Sequence, residues 1–345
     1  MPTIDTMTIN DHKETTLNNP MSLNRRAFAR LALTSAGACL AAPALYAQSS
    51  NKGLIRVVVP FASGGGTDVI GRSLVQAMAE ELGQTMIIDN KPGAGTVIGS
   101  DFVAKAAPDG QTLLMTTSAV AINASLMPRL PYDTLADLPP VGRICHGPNV
   151  IVVRVDSKIQ TLADLIKAAK ADPGKLSYAS SGNGSSVHLT AEFFKAKAGI
   201  RLLHIPYRGA GPAYTDLLGG QVDLLVGTAG GTHKFVQSGK MRALAVTSAA
   251  RSSAYPGVPT VAESLPGFEA NVWYGLFASK GTPAATIDRL NAALRKAAGS
   301  NNYKEAMEKE GLTVSVNSPT EMQAFMAQEV ETWRKVVTTA GIKPD

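Results

Sequence analysis

Apolar residues recur along this chain at two spacings, and the alternation between those spacings predicts its fold. Short β-branched runs at 57–60, 86–89, 112–116, 150–154, 176–179, 202–205, 222–226, 243–247 and 272–278 have the length and composition of strands. Between most of them the apolar positions fall three or four apart. Val69, Ile70, Leu74, Met78 and Leu82 are one such set, which stacks a single helical face. The pattern predicts an α/β chain with largely parallel sheets. Helix starts are marked by Thr161 with Asp164, by Thr282 before Pro283, and by Ser318 with Glu321. The last helix carries Met322, Phe325, Met326, Val330, Trp333 and Val337 on one face, a stripe expected to pack into the core. No internal repeat is evident.

Two strand-to-helix junctions break the pattern with glycine. The first reads Val59-Pro60-Phe61-Ala62-Ser63-Gly64-Gly65-Gly66-Thr67-Asp68, and three successive glycines let a ligand approach the backbone. A helix entered this way directs unpaired N–H groups and the positive end of its dipole into the loop, an anion site without Lys or Arg. The second, Ser180-Ser181-Gly182-Asn183-Gly184-Ser185-Ser186, repeats the device about 120 residues later with serine hydroxyls added. If each half of the chain forms a lobe, the loops face each other and hold one anionic ligand from both sides. A third junction, Ile205-Pro206-Tyr207-Arg208-Gly209-Ala210, adds a phenol and a guanidinium. Arg208 either pairs with a carboxylate or lies solvated at the surface.

The N-terminal region has a different character. Arg25-Arg26 followed by Phe28, a short run rich in Ala and Leu, and a small-residue end at Ala47 describe a secretory signal of the twin-arginine kind, cut after Ala47. The run is too short for a spanning helix. Met1 and Met21 are both candidate starts, and Cys39 lacks the sequence context of a lipid attachment site. Of the two cysteines only Cys145 lies beyond the cut, so no intrachain disulfide is expected and burial alone must stabilise the fold. The net charge of +6 is scattered, without basic runs interleaved with aromatics. That disfavours nucleic acid and leaves a mild bias toward anionic small molecules.

Enzyme signatures are mostly missing. The first loop lacks the lysine of a phosphate-binding loop. Gly93-Ala94-Gly95-Thr96-Val97-Ile98-Gly99 puts its third glycine one place late for a dinucleotide fingerprint. No G-x-S-x-G elbow is present, and the histidines lack metal-ligand spacing. Two readings remain from the residues: a receptor for a small acid, or an α/β enzyme acting on a carboxylated or phosphorylated metabolite with His188 or Asp68 as base. His188 beside the second loop either donates to a ligand or serves the loop structurally. Capping is the usual role of an aspartate placed like Asp68.

Beyond these loops, Asn90-Lys91-Pro92-Gly93-Ala94-Gly95, Ala107-Pro108-Asp109-Gly110, His204-Ile205-Pro206-Tyr207-Arg208-Gly209, Asp216-Leu217-Leu218-Gly219-Gly220-Gln221 and Pro256-Gly257-Val258-Pro259-Thr260 appear in order. With the two loops, they make the chain resemble the Bug-type (tripartite tricarboxylate transporter) periplasmic substrate-binding proteins. The resemblance implies a two-lobed type II periplasmic-binding fold with two hinge-crossing strands. After a leader at 1–47, one lobe would comprise 48–147 with 273–345 and the other 148–272, with crossings near 145–149 and 271–274. It implies a monomeric receptor without catalysis, metal or cofactor, and a small organic carboxylate held partly through waters. Its partners would be transporter membrane subunits or a sensor kinase. The implied ligand-binding residues are Phe61, Ala62, Ser63, Gly64, Gly65, Thr67, Ser118, Gly182, Asn183, Gly184, Ser185, Ser186, His188, Tyr207, Gly209 and Thr228. Two departures stand out. Ser63 replaces a proline common in such proteins, and Gly227-Thr228 stands where relatives that bind amino acids often carry an aspartate. The second predicts a ligand without an amino group.

Overall fold

A computed structural model describes residues 53–127, 129–340 and 342. The predicted export signal, its cut after Ala47 and Cys39 lie outside the described residues. The strands are β1 (Ile55–Val59), β2 (Met86–Asn90), β3 (Thr112–Thr117), β4 (Pro140–Arg154), β5 (Ser177–Ser180), β6 (Leu203–Pro206), β7 (Leu224–Thr228), β8 (Met241–Val246), β9 (Asn271–Phe277) and β10 (Thr313–Val314). They hydrogen-bond in the order β2-β1-β3-β9-β4-β7-β5-β6, with β8 and β10 also on β4.

Two sheets share β4. Its first part, from Pro140 to Pro148, pairs antiparallel with β9, and β10 joins it at Cys145 and His146. From Asn149 onward it pairs with β7 and β8 instead. The change of partners falls at Gly147-Pro148, where proline has no N–H to give a ladder. Alternate β1 residues then reach opposite faces of the first sheet. Ile55, Val57 and Val59 pack with Ile70, Leu74 and Met78, while Val58 joins Leu114, Met322, Met326 and Trp333. In the second sheet Ile151 and Val153 pack with Leu165, Val187 and Phe194, and Val150 and Val152 pack with Tyr214 and Leu217.

The predicted parallel character needs correction. Four pairings are parallel, and the five made by β4 or β9 are antiparallel. The first half of β4 carries Gly142, Arg143, His146, Gly147 and Pro148, which break any period-two signal, so only its tail was legible as strand. Pairing with β9 overrides that weak local preference. Helix starts follow the sequence more closely. Thr161 with Asp164 closes a capping box, and Ser318 with Glu321 exchanges the same two bonds at 3.2 and 2.7 Å. Thr282 differs: its hydroxyl donates to Ser279 O at 2.8 Å, and the helix Ala284–Gly299 begins after Pro283. The Met and aromatic stripe of Pro319–Ala340 packs into the core, with Met322, Met326, Val330 and Trp333 buried.

Asn149 ties the point where β4 changes partners. Its N–H donates to Thr247 Oγ1 at 2.7 Å, and its amide donates to Thr190 Oγ1 at 2.8 Å and to Ala270 O at 3.2 Å. Removing that buried amide takes the donor from Thr190 Oγ1, while Ala270 O keeps the bond from Thr247 Oγ1, at a cost of about 1–3 kcal/mol. Asn149→Ala is therefore expected to lower the unfolding free energy by about 2 kcal/mol in urea titration, with native far-UV circular dichroism retained.

Candidate functional site

β1 ends against the first glycine loop, where Gly64 takes φ +82° and Gly65 is the N-cap of the helix Gly66–Leu82. No side chain caps that helix, so its first-turn N–H groups face the loop. Asp68 braces the loop from behind. Its carboxylate accepts from Gly64 N at 3.0 Å, Arg72 Nε at 3.0 Å and Asn90 Nδ2 at 3.0 Å, and Asn90 also donates to Phe61 O. Burial alone would raise the Asp68 pKa, but bonds from Arg72, Gly64 and Asn90 outweigh it and hold the carboxyl below its usual range. A carboxylate so committed is a poor general base.

β5 leads into the second loop, with φ +122° at Gly182 and +75° at Gly184, and then the helix Ser186–Ala198. Ser185 Oγ is the N-cap acceptor for His188 N at 3.3 Å, and Ser180 Oγ accepts from Gly182 N at 3.1 Å. His188 sits behind the loop. Its Nδ1 accepts from Gly184 N at 3.2 Å while its ring stacks 4.3 Å from His204, which stacks in turn on Tyr178. The third loop follows β6, with Gly209 at φ +126° opening the helix Ala210–Leu218. Tyr207 donates to Asp216 Oδ2 at 2.6 Å, and its pKa is pushed up to about 12 by burial and that carboxylate.

The loops touch. Ala62 N donates to Arg208 O at 3.3 Å. A Cβ at Gly95 would clash with Asn183 O, one at Gly209 would lie 2.8 Å from Ala62 N, and one at Gly66 2.6 Å from Thr228 Oγ1. Between them lies an inner cavity of about 20 Å³, lined from the first loop by Phe61, Gly65, Gly66 and Thr67 and from β3 by Thr117. Its other wall comprises Ser181, Ser186, Val187, Ala210, Ala213 and the β7 end Leu225, Val226, Gly227 and Thr228. That volume holds about one water molecule. Four helix N-termini meet there: Gly66, Ser186, Ala210 and the helix Ala229–Gln237, whose N-cap is Thr228. No charged side chain lines the cavity. A second pocket of about 200 Å³ shares Phe61 and Ser181 with it and is lined further by Gly93 to Thr96, Gly182, Asn183 and Pro206 to Arg208.

Of the residues singled out from sequence, Phe61, Gly65, Thr67, Ser186 and Thr228 line the inner cavity, and Gly182, Asn183 and Tyr207 line the outer pocket. Ala62, Ser63, Gly64, Gly184, Ser185 and Gly209 shape the loops without lining either. Ser118 lines neither cavity, its hydroxyl is buried without a partner among the described residues, and its neighbour Thr117 lines the inner one. The alternation of β3 carried that information, because Leu113 and Met115 share the face of Thr117. Gly66 and Ser181 lay inside loops already recognised; Ala213 and Leu225 carried no sequence signal. Among the described residues no group of three or more His, Cys, Asp or Glu is placed to hold a metal.

The profile of the tripartite tricarboxylate transporter family receptor matches residues 70–342. The chain belongs to that family. It is 40% identical over 292 residues to Protein BugT of Bordetella pertussis, covering 84% of this chain and 90% of BugT. Its backbone superposes on Rpa4515 of R. palustris with adipate at a TM-score of 0.82 and 34% identity, covering 85% and 98% of the two chains. MatC from Rhodopseudomonas palustris with bound malate gives 0.79 and 30%, covering 82% and 98%. The fold is thus the two-lobed one of periplasmic binding proteins, and the family is one of solute receptors rather than enzymes.

The close approach at Gly95 gives a direct test of how the loops meet. Gly95→Ala would put a methyl group into Asn183 O and is expected to keep the two sides apart. Small-angle scattering should then give a larger radius of gyration than wild type, with unchanged helical content.

Proposed function

We propose that this protein is an exported receptor that closes two lobes around a small organic carboxylate lacking an amino group. The supporting observation is the meeting of four helix N-termini on a cavity without a charged side chain. Each terminus carries roughly half a positive charge, so a carboxylate is attracted although no Lys or Arg is present. An ammonium would meet that same field and no carboxylate partner. Adipate and malate, the acids named with two related structures, fit this chemistry.

The lobes in this reading are 48–147 with 273–345, and 148–272. The first loop belongs to one, and the second and third to the other. A cavity of about 20 Å³ is far smaller than a dicarboxylate, so the ligand enters when the lobes part about β4 and the start of β9. Closure is favoured by a ligand that satisfies both sides at once. The segment 24–47 would serve as a twin-arginine signal. The captured acid would pass to the membrane subunits of a tripartite transporter or to a sensor.

Gly65→Pro removes one N–H from the first loop. Wild type should show ligand-dependent stabilisation of about 2.7 kcal/mol at 100 times the dissociation constant, and the variant should lose it while folding normally. Mass spectrometry of protein purified from its own host should find a small acid released chemically unchanged on denaturation. A chemically altered acid, or full stabilisation in Gly65→Pro, would refute this reading.

A further inference from the structure

Backbone strain gathers in the turn that leads from β2 toward the helix Val97–Ala104. Gly93, Ala94, Gly95 and Thr96 take φ of +134°, +45°, +60° and +85° in succession. Among the described residues, Ala94 and Thr96 are the non-glycine residues with positive φ. Glycine tolerates that region, whereas a Cβ is crowded there and a β-branched residue is an outlier. Such a conformation persists only where its surroundings over-determine it.

Two neighbours constrain it, one from each side. Asn123, fully buried on the helix Ala119–Leu126, donates through Nδ2 to Gly95 O at 2.6 Å and to Thr96 Oγ1 at 3.1 Å. The second glycine loop presses from the other side. Gly95 meets Asn183 O with no room for a methyl group, and a Cβ at Gly184 would run into Asn123 Oδ1. Met127 Cε fills the same seam, 3.3 Å from a Cβ at Gly95 and 3.1 Å from one at Gly184. Asn123 Oδ1 is buried there without a hydrogen bond among the described residues. Closing this seam therefore costs a dry acceptor as well as a strained turn.

The turn, Asn123 and Met127 belong to one of the proposed lobes, and Asn183 and Gly184 to the other. Parting the lobes would withdraw Asn183 from Gly95 and admit water to Asn123 Oδ1. The turn would then be unconstrained on one side. We propose that the Gly93–Thr96 turn is a spring: docking of the second loop forces it into its positive-φ form, and its relaxation drives the lobes apart. Asn123 is the positioning residue that holds the compressed form. The spring reduces the closed population, lowers the affinity for any ligand in proportion, and so assists release. It rests on the proposed closure of the lobes and not on the identity of the ligand.

A cross-link measures closure without any ligand. A Cβ at Gly65 would lie 3.5 Å from Ala210 Cβ, across the jaws and within the reach of a disulfide. In Gly65→Cys with Ala210→Cys, the equilibrium constant for oxidation by glutathione follows the closed population. Cys145 is buried, and Cys39→Ser removes the other thiol. Adding Ala94→Gly should raise that constant about fivefold. Ala94→Asn should act alike, because asparagine tolerates positive φ without the flexibility of glycine. Adding Asn123→Ala should lower the constant about tenfold; should that variant fail to fold, the Ala94 pair decides alone. A constant unchanged in both Ala94 variants overturns the spring, and a raised melting temperature of the reduced protein would then place the strain in open and closed forms alike. A constant unchanged in Asn123→Ala overturns its positioning role. A cysteine pair that never cross-links overturns closure and the spring together, whereas failure of every acid to bind removes only the carboxylate reading.

Discussion

The convergence of four helix N-termini on one point is the constraint from which the rest of the structure follows. Like partial charges do not gather without cost, and each terminus leaves backbone N–H groups that seek an acceptor. Three of the four caps, Gly65, Gly209 and Thr228, supply no side-chain hydrogen bond to their helix, so the acceptor must come from elsewhere. Only Ser185 caps its helix through its own hydroxyl. A carboxylate answers this demand better than a phosphate of higher charge, because the cavity offers dipoles and hydroxyls but no formal positive charge.

Bringing the termini together requires backbone to approach backbone, and that explains the glycines. At Gly95, Gly209 and Gly66 the obstacle to a side chain is an atom of the opposing segment rather than local strain alone. Side chains behind the loops then fix their shape. Asp68, with Arg72 and Asn90, holds the first loop, and His188 and Ser180 hold the second through Gly184 and Gly182. Groups that look chemically active in the sequence are thus spent on positioning main chain. The residues that face the cavity are small, apolar or hydroxylic.

This division explains what could be read from the chain alone. Both glycine loops, the helical stripes and the capping boxes at Thr161 and Ser318 announce themselves locally, because their signals lie within a few residues. The first half of β4 does not, because its strand character comes from β9, more than 120 residues away in sequence. Thr117 ends β3 and lines the cavity, while Ser118 already caps the next helix, so which of two adjacent hydroxyls faces the cavity depends on where the strand stops. His188 sits in the right place, but facing is a tertiary property.

The same arrangement sets the mechanical balance of the receptor. Each sheet keeps apolar clusters on both faces, built largely from its own strands and helices, although Leu189 of the helix Ser186–Ala198 joins a cluster of the first sheet. Parting would remove the Ala62 to Arg208 hydrogen bond, worth about 1 kcal/mol net, together with helix contacts such as that of Gly66–Leu82 on Ala229–Gln237. In the proposed function, a ligand that bridges both sides would shift open and closed forms by its differential affinity alone. Release in that reading would be the withdrawal of one jaw. The glycines that permit close contact thus let backbone meet backbone without interlocking side chains, which suits a protein that must give up what it binds.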